Sequence, residues 1–318
     1  MSFFVTGAAG FIGSNLCDAL LARGASVIGY DNFSTGAPEF LVEAKKSPRF
    51  SLVTGDLLDT ARLAEAMHGS EVVLHLSANA DVRFGLEHPR RDLEQNTIAT
   101  FNVLEAMRAN RVGTICFAST GSVYGEAAII PTPEDAPFPV QTSLYAASKV
   151  AGEGMITSYA EGFGVRALIF RFVSILGERY THGHVFDFYR SLKNDPSSLK
   201  ILGDGNQKKS YLHVKDCVSA ILLALENSSS KVSIYNLGTD EYCKVTESAR
   251  WIADKMGVRP EFEFTGGPRG WVGDNPFIFL ETKRIREMGW VPEFGIREGV
   301  ERTVDWLAAN EWVFEKRV

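Results

Sequence analysis

The sequence is poor in cysteine, and the few it has are widely separated. Cys17, Cys116, Cys217 and Cys243 form no C-x-x-C pair, which argues against both a zinc site and a disulfide framework. Cys116 lies in an apolar run, and this setting favours a buried core thiol. We therefore expect neither a metal site nor covalent cross-links.

Long apolar runs and an excess of positive charge are also missing. No stretch approaches the ~20 apolar residues of a membrane span, and the N-terminus lacks the basic region and cleavage site of a secretory signal. The formal net charge of −6 argues against a nucleic-acid partner. We expect a cytoplasmic globular enzyme with no nucleic-acid or membrane partner, since 45% hydrophobic and 23% charged residues are ordinary for that class.

Short apolar segments alternate with helix-like stretches up to about residue 175. Each apolar segment is rich in β-branched or aromatic residues, as in a sheet covered on both faces. The predicted strands are 3–6, 26–30, 50–54, 72–76, 114–119 and 166–170. The predicted helices are 12–23, 59–67, 92–108 and 145–162. This alternation predicts an α/β fold with a doubly wound parallel sheet of the Rossmann type.

The pattern changes in the C-terminal part of the chain. A glycine-rich turn and a Gly/Pro-rich loop separate the later elements. The predicted helices there are 185–192, 246–256 and 297–310, and residues 233–237 are predicted to form one more strand that returns to the sheet. We expect a Rossmann domain of residues 1–174 with 212–238, and a smaller mixed α/β domain of residues 175–211 and 239–318.

Three glycines stand between the first predicted strand and the first predicted helix. Gly7, Gly10 and Gly13 are spaced G-x-x-G-x-x-G, which differs from the G-x-G-x-x-G fingerprint. A tight turn here lets backbone N–H groups face a pyrophosphate at the helix N-terminus. A purely structural turn is the alternative, but the position in the chain favours dinucleotide binding.

Acidic residues follow the next two predicted strands. Asp31 can accept hydrogen bonds from the adenosine ribose hydroxyls and would repel a 2′-phosphate, which favours NAD over NADP. An exposed turn aspartate is the competing interpretation. After the third strand, in the Gly55-Asp56-Leu57 turn, Asp56 can approach the adenine amino group or cap the following helix.

Tyr145 and Lys149 stand four residues apart on a predicted helix and so share one face. A phenol of pKa ~10 must lose about three units to act as a base near neutral pH, which costs ~4 kcal/mol. An ammonium about 4 Å away supplies ~4 kcal/mol at an effective dielectric of ~20. A surface pair is the alternative, but beside a dinucleotide site we interpret the two residues as a catalytic pair.

Hydroxyl groups follow the predicted strand that precedes this helix. Thr120 stands 25 residues before Tyr145 and can hydrogen-bond the same substrate oxygen. Its hydroxyl can alternatively bond to nearby backbone. Ser122, in the same turn, is a weaker second candidate.

These residues together resemble the extended short-chain dehydrogenase/reductase superfamily, and within it the NAD-dependent nucleotide-sugar epimerases such as the UDP-glucose 4-epimerases. The similarity covers nearly the whole chain. The matching motifs are TGAAGFIGS at 6–14, DN at 31–32, HLSA at 75–78, STGSVYG at 119–125, YAASK at 145–149 and GDGNQKKSYLHVKD at 203–216.

The resemblance implies NAD as the cofactor and assigns expected roles to individual residues. The expected catalytic residues are Tyr145, Lys149 and Thr120. The expected cofactor-binding residues are Gly7, Gly10, Phe11, Ile12, Gly13, Asp31, Asn32, Asp56, Leu57, Leu76, Ala78, Asn96, Ser119, Tyr145 and Lys149. The expected substrate-binding residues are Ser122, Ser174, Lys209, Tyr211 and Arg269.

The turn after Thr120 indicates which reaction of the superfamily is expected. Sugar 4,6-dehydratases carry an Asp-Glu pair where this chain has Gly121 and Ser122, so the acid needed for elimination is missing. Epimerisation needs only reversible proton and hydride transfer. The implied mechanism removes the 4-OH proton with Tyr145, passes hydride to NAD⁺, turns the 4-keto sugar over and returns the hydride to its other face.

The chain departs from the family pattern at three places that concern the substrate. Ser174 replaces the usual Asn, Lys209 replaces an Arg and loses its bidentate geometry, and GWVGD at 270–274 replaces the RPGD form. Arg269, just before this segment, is a candidate phosphate ligand or a plain surface charge. The two histidines of THGH at 181–184 are too few ligands for a metal site.

The substrate and assembly expectations follow from the same resemblance. The default substrates are UDP-glucose and UDP-galactose. The alternatives are UDP-N-acetylhexosamine or UDP-glucuronate epimerisation, a 4-ketoreductase, and a non-catalytic NAD-sensing binding protein. The helices at 92–108 and 145–162 resemble those of a four-helix dimer interface, so a homodimer is expected, although their apolar positions also suit an intrachain core.

Overall fold

The computed structural model describes residues 1–80, 82–138 and 140–316. Residues 317–318 of the expected C-terminal domain lie outside this range. The strands are β1 Ser2–Thr6, β2 Ser26–Asp31, β3 Phe50–Thr54, β4 Val72–His75, β5 Thr114–Thr120, β6 Arg166–Phe172, β7 Ser174–Leu176, β8 Ser198–Ile201, β9 Lys208–Lys209, β10 Tyr211–His213, β11 Val232–Leu237, β12 Cys243–Lys244, β13 Glu261–Phe264 and β14 Phe277–Ile278.

The α-helices vary from one turn to more than five turns. They are α1 Phe11–Ala22, α2 Thr60–Ala66, α3 Val82–Glu87, α4 Pro89–Asp92, α5 Ala99–Asn110, α6 Leu144–Phe163, α7 His184–Asn194, α8 Val214–Asn227, α9 Val245–Met256, α10 Lys283–Arg286 and α11 Ile296–Ala309. A π-helix spans Leu93–Ile98, and 3₁₀ turns span Pro38–Leu41, Ala44–Lys46, Gly121–Tyr124 and Glu311–Phe314. No helix in the described part of the chain is long and apolar enough to span a membrane.

Seven parallel strands of the described chain form the main sheet, in the order β11-β6-β5-β4-β1-β2-β3. The strand order reverses between β1 and β4, so this is a doubly wound Rossmann sheet with its switch point there. The predicted returning strand lies at one edge of the sheet, where Val232–Leu237 pairs with β6. The fold class predicted from the sequence is confirmed.

Helices cover both faces of this sheet, which explains why its strands are nearly continuous apolar runs. Leu16 and Leu20 of α1 pack with residues of α8 against one face. On the other face, Val103 of α5 and Ile156 of α6 pack with α2. A parallel sheet needs this cover on both sides, because its crossovers place helices on each face.

A separate apolar cluster holds the C-terminal elements together. Val185 and Leu192 of α7 pack there with Ile252 of α9 and Leu307 of α11. Two small sheets lie in this region, β12-β9-β14 and β13-β8. No group of three or more His, Cys, Asp or Glu side chains that could hold a metal ion occurs among the described residues.

Several short elements were not predicted from the sequence, and two longer elements also differ from the prediction. The helix expected at 92–108 is not uniform, because its first part is the π-helix Leu93–Ile98, which leads into α5. The helix Val214–Asn227 was not predicted, although nine of its side chains are buried. This helix begins at Val214, inside the 203–216 motif, so the motif and the helical pattern overlap in the sequence.

Candidate active site

The carboxyl ends of the parallel strands gather the predicted residues at one edge of the sheet. Gly7 follows β1, Asp31 ends β2, Asp56 follows β3, Leu76 follows β4 and Thr120 ends β5. In open α/β sheets, ligands bind in the crevice outside these ends, next to the switch point. The fold thus brings together residues more than 100 positions apart in the sequence.

The glycine loop is shaped by close backbone contacts. Gly7 has φ +69°, a conformation that side chains other than glycine rarely adopt, and a Cβ there would lie 2.9 Å from the Ser77 nitrogen. A Cβ at Gly13 would collide with the Gly7 carbonyl oxygen. Gly10 is the N-cap of α1, and the first turn of that helix carries no acidic residue. The positive end of the α1 dipole is therefore available to an anion.

Asp31 lies against this loop and is almost fully buried. Its carboxylate accepts hydrogen bonds from the Ala9 nitrogen at 2.9 Å and the Phe33 nitrogen at 2.7 Å. Burial raises the pKa of Asp31, and the two backbone hydrogen bonds oppose that rise. A carboxylate in this place, joined to the glycine loop, suits recognition of a ribose diol.

The other predicted adenosine-side residues adopt different settings. The Asn32 amide donates to the Asp56 carboxylate at 2.8 Å, and the Leu58 nitrogen donates to the same carboxylate at 2.9 Å. Asp59, rather than Asp56, caps α2. The Leu57 side chain is buried in the core, so only its backbone can face a cofactor.

A buried chain of hydrogen bonds runs behind the β1 and β4 ends. His75 Nδ1 lies 2.8 Å from the Thr6 hydroxyl, and His75 Nε2 lies 3.0 Å from the Thr100 hydroxyl, which donates to the Asn96 carbonyl at 2.5 Å. Burial, and secondarily the Lys149 charge, lower the pKa of His75 to about 3. His75 is therefore a neutral, structural member of the site.

Asn96 joins three parts of the site from within the π-helix. Its side chain accepts from the Asn79 nitrogen at 2.7 Å and donates to the Asp92 carboxylate at 3.2 Å and to the Ser148 hydroxyl at 2.9 Å. π-turns often occur at functional sites. Half-buried Ala78 lies in the loop next to Asn79. Asn96 thus ties the loop after β4 to helix α6.

The predicted catalytic pair lies where α6 crosses the end of β5. The half-buried Tyr145 side chain hydrogen-bonds the Thr120 hydroxyl. Lys149 is 3% exposed, and its Nζ donates to the Ala118 carbonyl at 2.7 Å and lies 5.9 Å from the centre of the Tyr145 ring. The structure therefore brings Tyr145, Lys149 and Thr120 together, as the sequence predicts.

The electrostatics of Tyr145 differ from the sequence argument, which expected a pKa near neutrality. Burial raises the pKa of Tyr145 to about 12, and the hydrogen bond with Thr120 opposes the rise. The Lys149 ammonium donates to the Ala118 carbonyl and lies 5.9 Å from the centre of the Tyr145 ring, and it is not among the causes that set the Tyr145 pKa. A tyrosinate in this site needs more positive charge beside the ring than Lys149 supplies in this arrangement.

Sequence reasoning missed the residues behind the pair. The Ser119 hydroxyl donates to the Glu153 carboxylate, so the Ser119 side chain faces inward and only its backbone can meet a cofactor. Glu153 also forms an ion pair with Arg171, with a shortest N–O distance of 2.7 Å. The sequence does contain a signal for Glu153. Tyr145, Lys149 and Glu153 follow one another at a spacing of four residues, which places all three on one face of α6.

The predicted substrate-side residues fall into two groups. Ser122 lies in the 3₁₀ turn after Thr120, and its hydroxyl lies 3.2 Å from the Thr120 hydroxyl. Ser174 is exposed at the start of β7, where it pairs in register with Tyr211. Tyr211 is buried and stacks on His184, with ring centres 4.7 Å apart. Burial raises the pKa of Tyr211 well above its ordinary value, so its phenol stays neutral.

Lys209 and Arg269 meet around the GWVGD loop. Lys209 Nζ donates to the Asp274 carboxylate at 2.7 Å and to the Asn275 carbonyl at 2.6 Å. Arg269 pairs with Glu126, which follows the turn after β5. The Asn275 amide donates to the Gly125 carbonyl. These contacts place both cations beside the turn that carries Thr120 and Ser122.

These features fit a bound NAD. The α1 N-terminus without acidic residues suits a pyrophosphate, and the collisions that any Cβ would cause at Gly7 and Gly13 show that backbone must come close there. Asp31 suits the ribose, and its charge disfavours a 2′-phosphate. Phe11 and Ile12 open α1 next to this loop.

Comparison with known proteins gives a consistent result. Residues 3–238 match the model of the NAD dependent epimerase/dehydratase family. A UDP-glucose 4-epimerase of Mycolicibacterium smegmatis is 35% identical over 96% of this chain and 98% of its own length. A crystal structure of UDP-galactose 4-epimerase is 37% identical, with a TM-score of 0.88 over 98% of this chain and 100% of its own.

A more distant solved structure extends the range of sugars. The UDP-glucuronic acid 4-epimerase from Bacillus cereus, in complex with UDP-glucuronic acid and NAD, is 25% identical. It has a TM-score of 0.89, covering 97% of this chain and 99% of its own. NAD is therefore the dinucleotide that this site holds, while relatives differ in the sugar that they bind.

Proposed function

We propose, from the premise that this chain belongs to the NAD dependent epimerase/dehydratase family and is a nucleotide-sugar 4-epimerase within it, that it interconverts UDP-glucose and UDP-galactose. The observation that carries the proposal is the convergence of Tyr145, Thr120 and Lys149 at the edge of the sheet that also carries the glycine loop. The relatives at 35% and 37% identity are UDP-glucose and UDP-galactose 4-epimerases, which supports this sugar pair.

The turn after Thr120 supports epimerisation rather than elimination. Gly121 is packed so closely that a Cβ there would lie 3.0 Å from the Ile278 side chain and 3.2 Å from the Phe172 carbonyl oxygen. A side chain at this position would require its neighbours to shift by a few tenths of an ångström. Ser122, the next residue, has a hydroxyl and no acid. The site lacks the group that would expel water from the sugar.

We assign each residue of the site a separate task. Tyr145 exchanges the proton of the sugar 4-hydroxyl, and Thr120, which hydrogen-bonds Tyr145, orients the same oxygen. Lys149 supplies positive charge beside the phenol. NAD, when bound, supplies the hydride acceptor and donor through which a transient 4-keto sugar forms and is reduced. Gly7, Gly10, Gly13, Asp31 and the first turn of α1 would hold it.

We further propose that residues 1–174 with 212–238 bind NAD, and that residues 175–211 and 239–318 bind the nucleotide sugar. Lys209 and Arg269 then serve the diphosphate. Arg269 is paired with exposed Glu126, which a phosphate group can replace as the partner, whereas Lys209 is paired with the buried Asp274 and adds its charge beside it. The contact between Arg269 and Glu126 closes the substrate part over the turn after β5.

The test is an NMR time course with purified protein and no added cofactor. UDP-galactose, UDP-N-acetylgalactosamine and UDP-glucuronate are supplied in separate samples. We expect UDP-galactose to convert to its C4 epimer, and we expect no conversion in Tyr145→Phe. Tyr159→Phe on the same helix, whose hydroxyl donates to Glu105 instead, is the matched control and should stay active.

Three results would contradict the proposal. Conversion of UDP-N-acetylgalactosamine or UDP-glucuronate in place of UDP-galactose would keep the epimerase and change the sugar. In a separate sample that supplies a UDP-4-keto sugar with NADH, stoichiometric oxidation of NADH, together with no epimerisation of the three sugars, would indicate a 4-ketoreductase. NAD binding without turnover of any of the three sugars, even after NAD⁺ is added, would favour the sensing function.

We also propose that the chain forms a homodimer through the face made by the π-helix, α5 and α6. Ile98, Phe101 and Phe163 on these helices are 39%, 44% and 58% exposed. Sedimentation should show a dimer for the wild type and a monomer for Phe101→Glu. Phe264→Glu, at another exposed phenylalanine far from these helices, should remain dimeric. A monomeric wild type would refute the proposal.

A further inference from the structure

Three consecutive residues at the end of β5 contact three residues of α6. The three residues of α6 are spaced one helical turn apart. The contacts are Thr120 with Tyr145, the Ala118 carbonyl with Lys149, and the Ser119 hydroxyl with Glu153. Helix and strand also approach closely here, because a Cβ at Gly152 would lie 2.9 Å from the Phe117 ring. The position of the catalytic pair is therefore fixed by a contact that extends to Glu153.

Glu153 is held from the other side by Arg171. Arg171 Nε lies 3.1 Å and 3.3 Å from the two Glu153 oxygens, and a second guanidinium nitrogen lies 2.7 Å away. The two side chains are only 3% and 4% exposed. Arg171 is the register partner of Ser119 on the neighbouring strand, so both point at the same carboxylate. The Glu153 carboxylate is therefore held between the Ser119 hydroxyl and the Arg171 guanidinium.

Few charges face the Lys149 ammonium. Glu153 stands one turn along the same helix, and buried Asp92 faces it from α4. His75 on β4 is neutral, and Tyr145 on α6 is protonated. Burial lowers the pKa of Lys149 to about 8, while Glu153 and then Asp92 raise it. Two carboxylates therefore oppose the loss of charge that burial favours.

We propose that Glu153 is a positioning residue of this site, which acts through Lys149 by keeping its ammonium charged and by holding α6 against the end of β5. Arg171 and Ser119 hold the Glu153 carboxylate in place. The role rests on the proposed function, because it concerns the residue assigned to catalysis. Nothing in Glu153 touches the substrate, since the carboxylate is enclosed by Ser119 and Arg171.

The experiment measures the titration of Lys149 directly in the full chain. Protein labelled with ¹³C at the lysine ε-carbon is titrated by NMR, and the Lys149 signal is identified by its absence in Lys149→Met. We expect the midpoint in Glu153→Gln to fall by on the order of one pH unit below that of the wild type. The alkaline limb of sugar turnover should move to lower pH by the same amount.

Glu134→Gln is the matched control. Glu134 is a second buried carboxylate, it accepts from the Asn236 nitrogen at 3.0 Å, and its carbonyl accepts from Arg171 at 2.9 Å. Its loss should reduce stability without moving the Lys149 midpoint. The proposal is overturned if the Lys149 midpoint in Glu153→Gln equals the midpoints in the wild type and in Glu134→Gln. Glu153 would then have only a structural role.

A second variant keeps the test decisive if Glu153→Gln does not fold. The double variant Glu153→Gln/Arg171→Gln leaves no unpaired buried charge and should therefore fold. Because Arg171 lies on the far side of the carboxylate from Lys149, loss of both charges should still lower the Lys149 midpoint, although by less than loss of Glu153 alone, and an unchanged midpoint would overturn the proposal. The NMR titration requires no substrate, so a shifted midpoint in a protein that converts no UDP-sugar would support Glu153 while refuting the proposed function.

Discussion

The two sides of the candidate site are held together by ion pairs of opposite character. Behind the catalytic pair, Arg171 and Glu153 are 3% and 4% exposed. On the substrate side, Arg269 and Glu126 are 40% and 54% exposed. The first pair is enclosed by hydrogen bonds with Ser119 of β5, with Tyr124 of the 3₁₀ turn and with the Glu134 carbonyl, whereas the second joins two surface segments.

This difference in exposure suits two different tasks. The buried pair holds its geometry fixed, and the exposed pair can exchange partners. A buried pair cannot lose one member without leaving an uncompensated charge, so it fixes geometry. An exposed pair gives up little when its members find other partners, because water and salt screen it. We infer that the chemistry is built on the rigid side and that the choice of ligand is made on the exposed side.

The largest effect is expected from breaking the buried pair. Arg171→Met leaves Glu153 buried without its cation and should lower the free energy of unfolding by about 3–5 kcal/mol. Arg269→Met removes the corresponding cation of the exposed pair and should lower it by about 1 kcal/mol or less. Urea unfolding of both variants measures the contrast. Equal losses would show that burial does not distinguish the two pairs.

The second-largest effect is expected on kcat, from a change at Thr120 beside Tyr145. Thr120→Val keeps the shape of the side chain but removes the hydroxyl that meets Tyr145, and should lower kcat by on the order of 100-fold with little change in KM. Ser122→Ala, in the same turn, should have a much smaller effect. Steady-state kinetics on the preferred UDP-sugar decide this, and a larger effect at Ser122 would reverse the assigned roles.

The pH dependence of stability compares one buried histidine behind the glycine loop with one in the C-terminal part of the chain. Burial lowers the pKa of His75 and of His184 to about 3 in the folded chain, against about 6.5 when unfolded. The unfolded chain therefore takes up protons first as the pH falls, so stability present above pH ~6.5 is lost below it. Each histidine should account for about 2 kcal/mol between pH ~6.5 and pH ~5.

Urea unfolding at pH ~7 and pH ~5 measures this loss. The two histidines together cause one part of the loss in the free energy of unfolding at acidic pH. His75→Gln and His184→Gln should each remove about one half of that part. The two variants should behave alike, although one lies behind the glycine loop and the other in the C-terminal part. An unchanged dependence in either variant would mean that its histidine is protonated in the folded state.

The smallest effect is expected on the exposed side. Arg269→Gln should raise KM for the UDP-sugar by about tenfold and leave kcat unchanged, because a phosphate contact made equally in the ground state and the transition state affects binding only. Arg190→Gln, which removes an exposed cation paired with Asp187, is the control and should leave KM unchanged. A fall in kcat for Arg269→Gln would place it in the chemistry.

Local pattern predicted the sheet and the glycine loop because both depend on short stretches of sequence. Six apolar segments matched six strands of the main sheet to within two residues at either end. The spacing of Tyr145 and Lys149 also placed them on one face of α6. These features follow from the periods of strands and helices, which a single sequence displays.

Features that depend on three-dimensional surroundings were not predicted. The raised pKa of Tyr145 follows mainly from burial, which the sequence does not display. The contact of Arg269 with Glu126 joins residues 143 positions apart. The π-helix at Leu93–Ile98 carries Asn96, whose partner Ser148 lies on another helix, and the helical period of the sequence does not distinguish it from a uniform α-helix.

The late return of the chain to the main sheet has a consequence for synthesis on the ribosome. Strand β6 ends at residue 172, but its outer neighbour β11 begins only at residue 232. Until that segment emerges, β6 presents an unpaired row of backbone groups, which is a template for wrong pairing. Chains truncated between these strands should aggregate, whereas truncation after residue 237 leaves the parallel sheet complete.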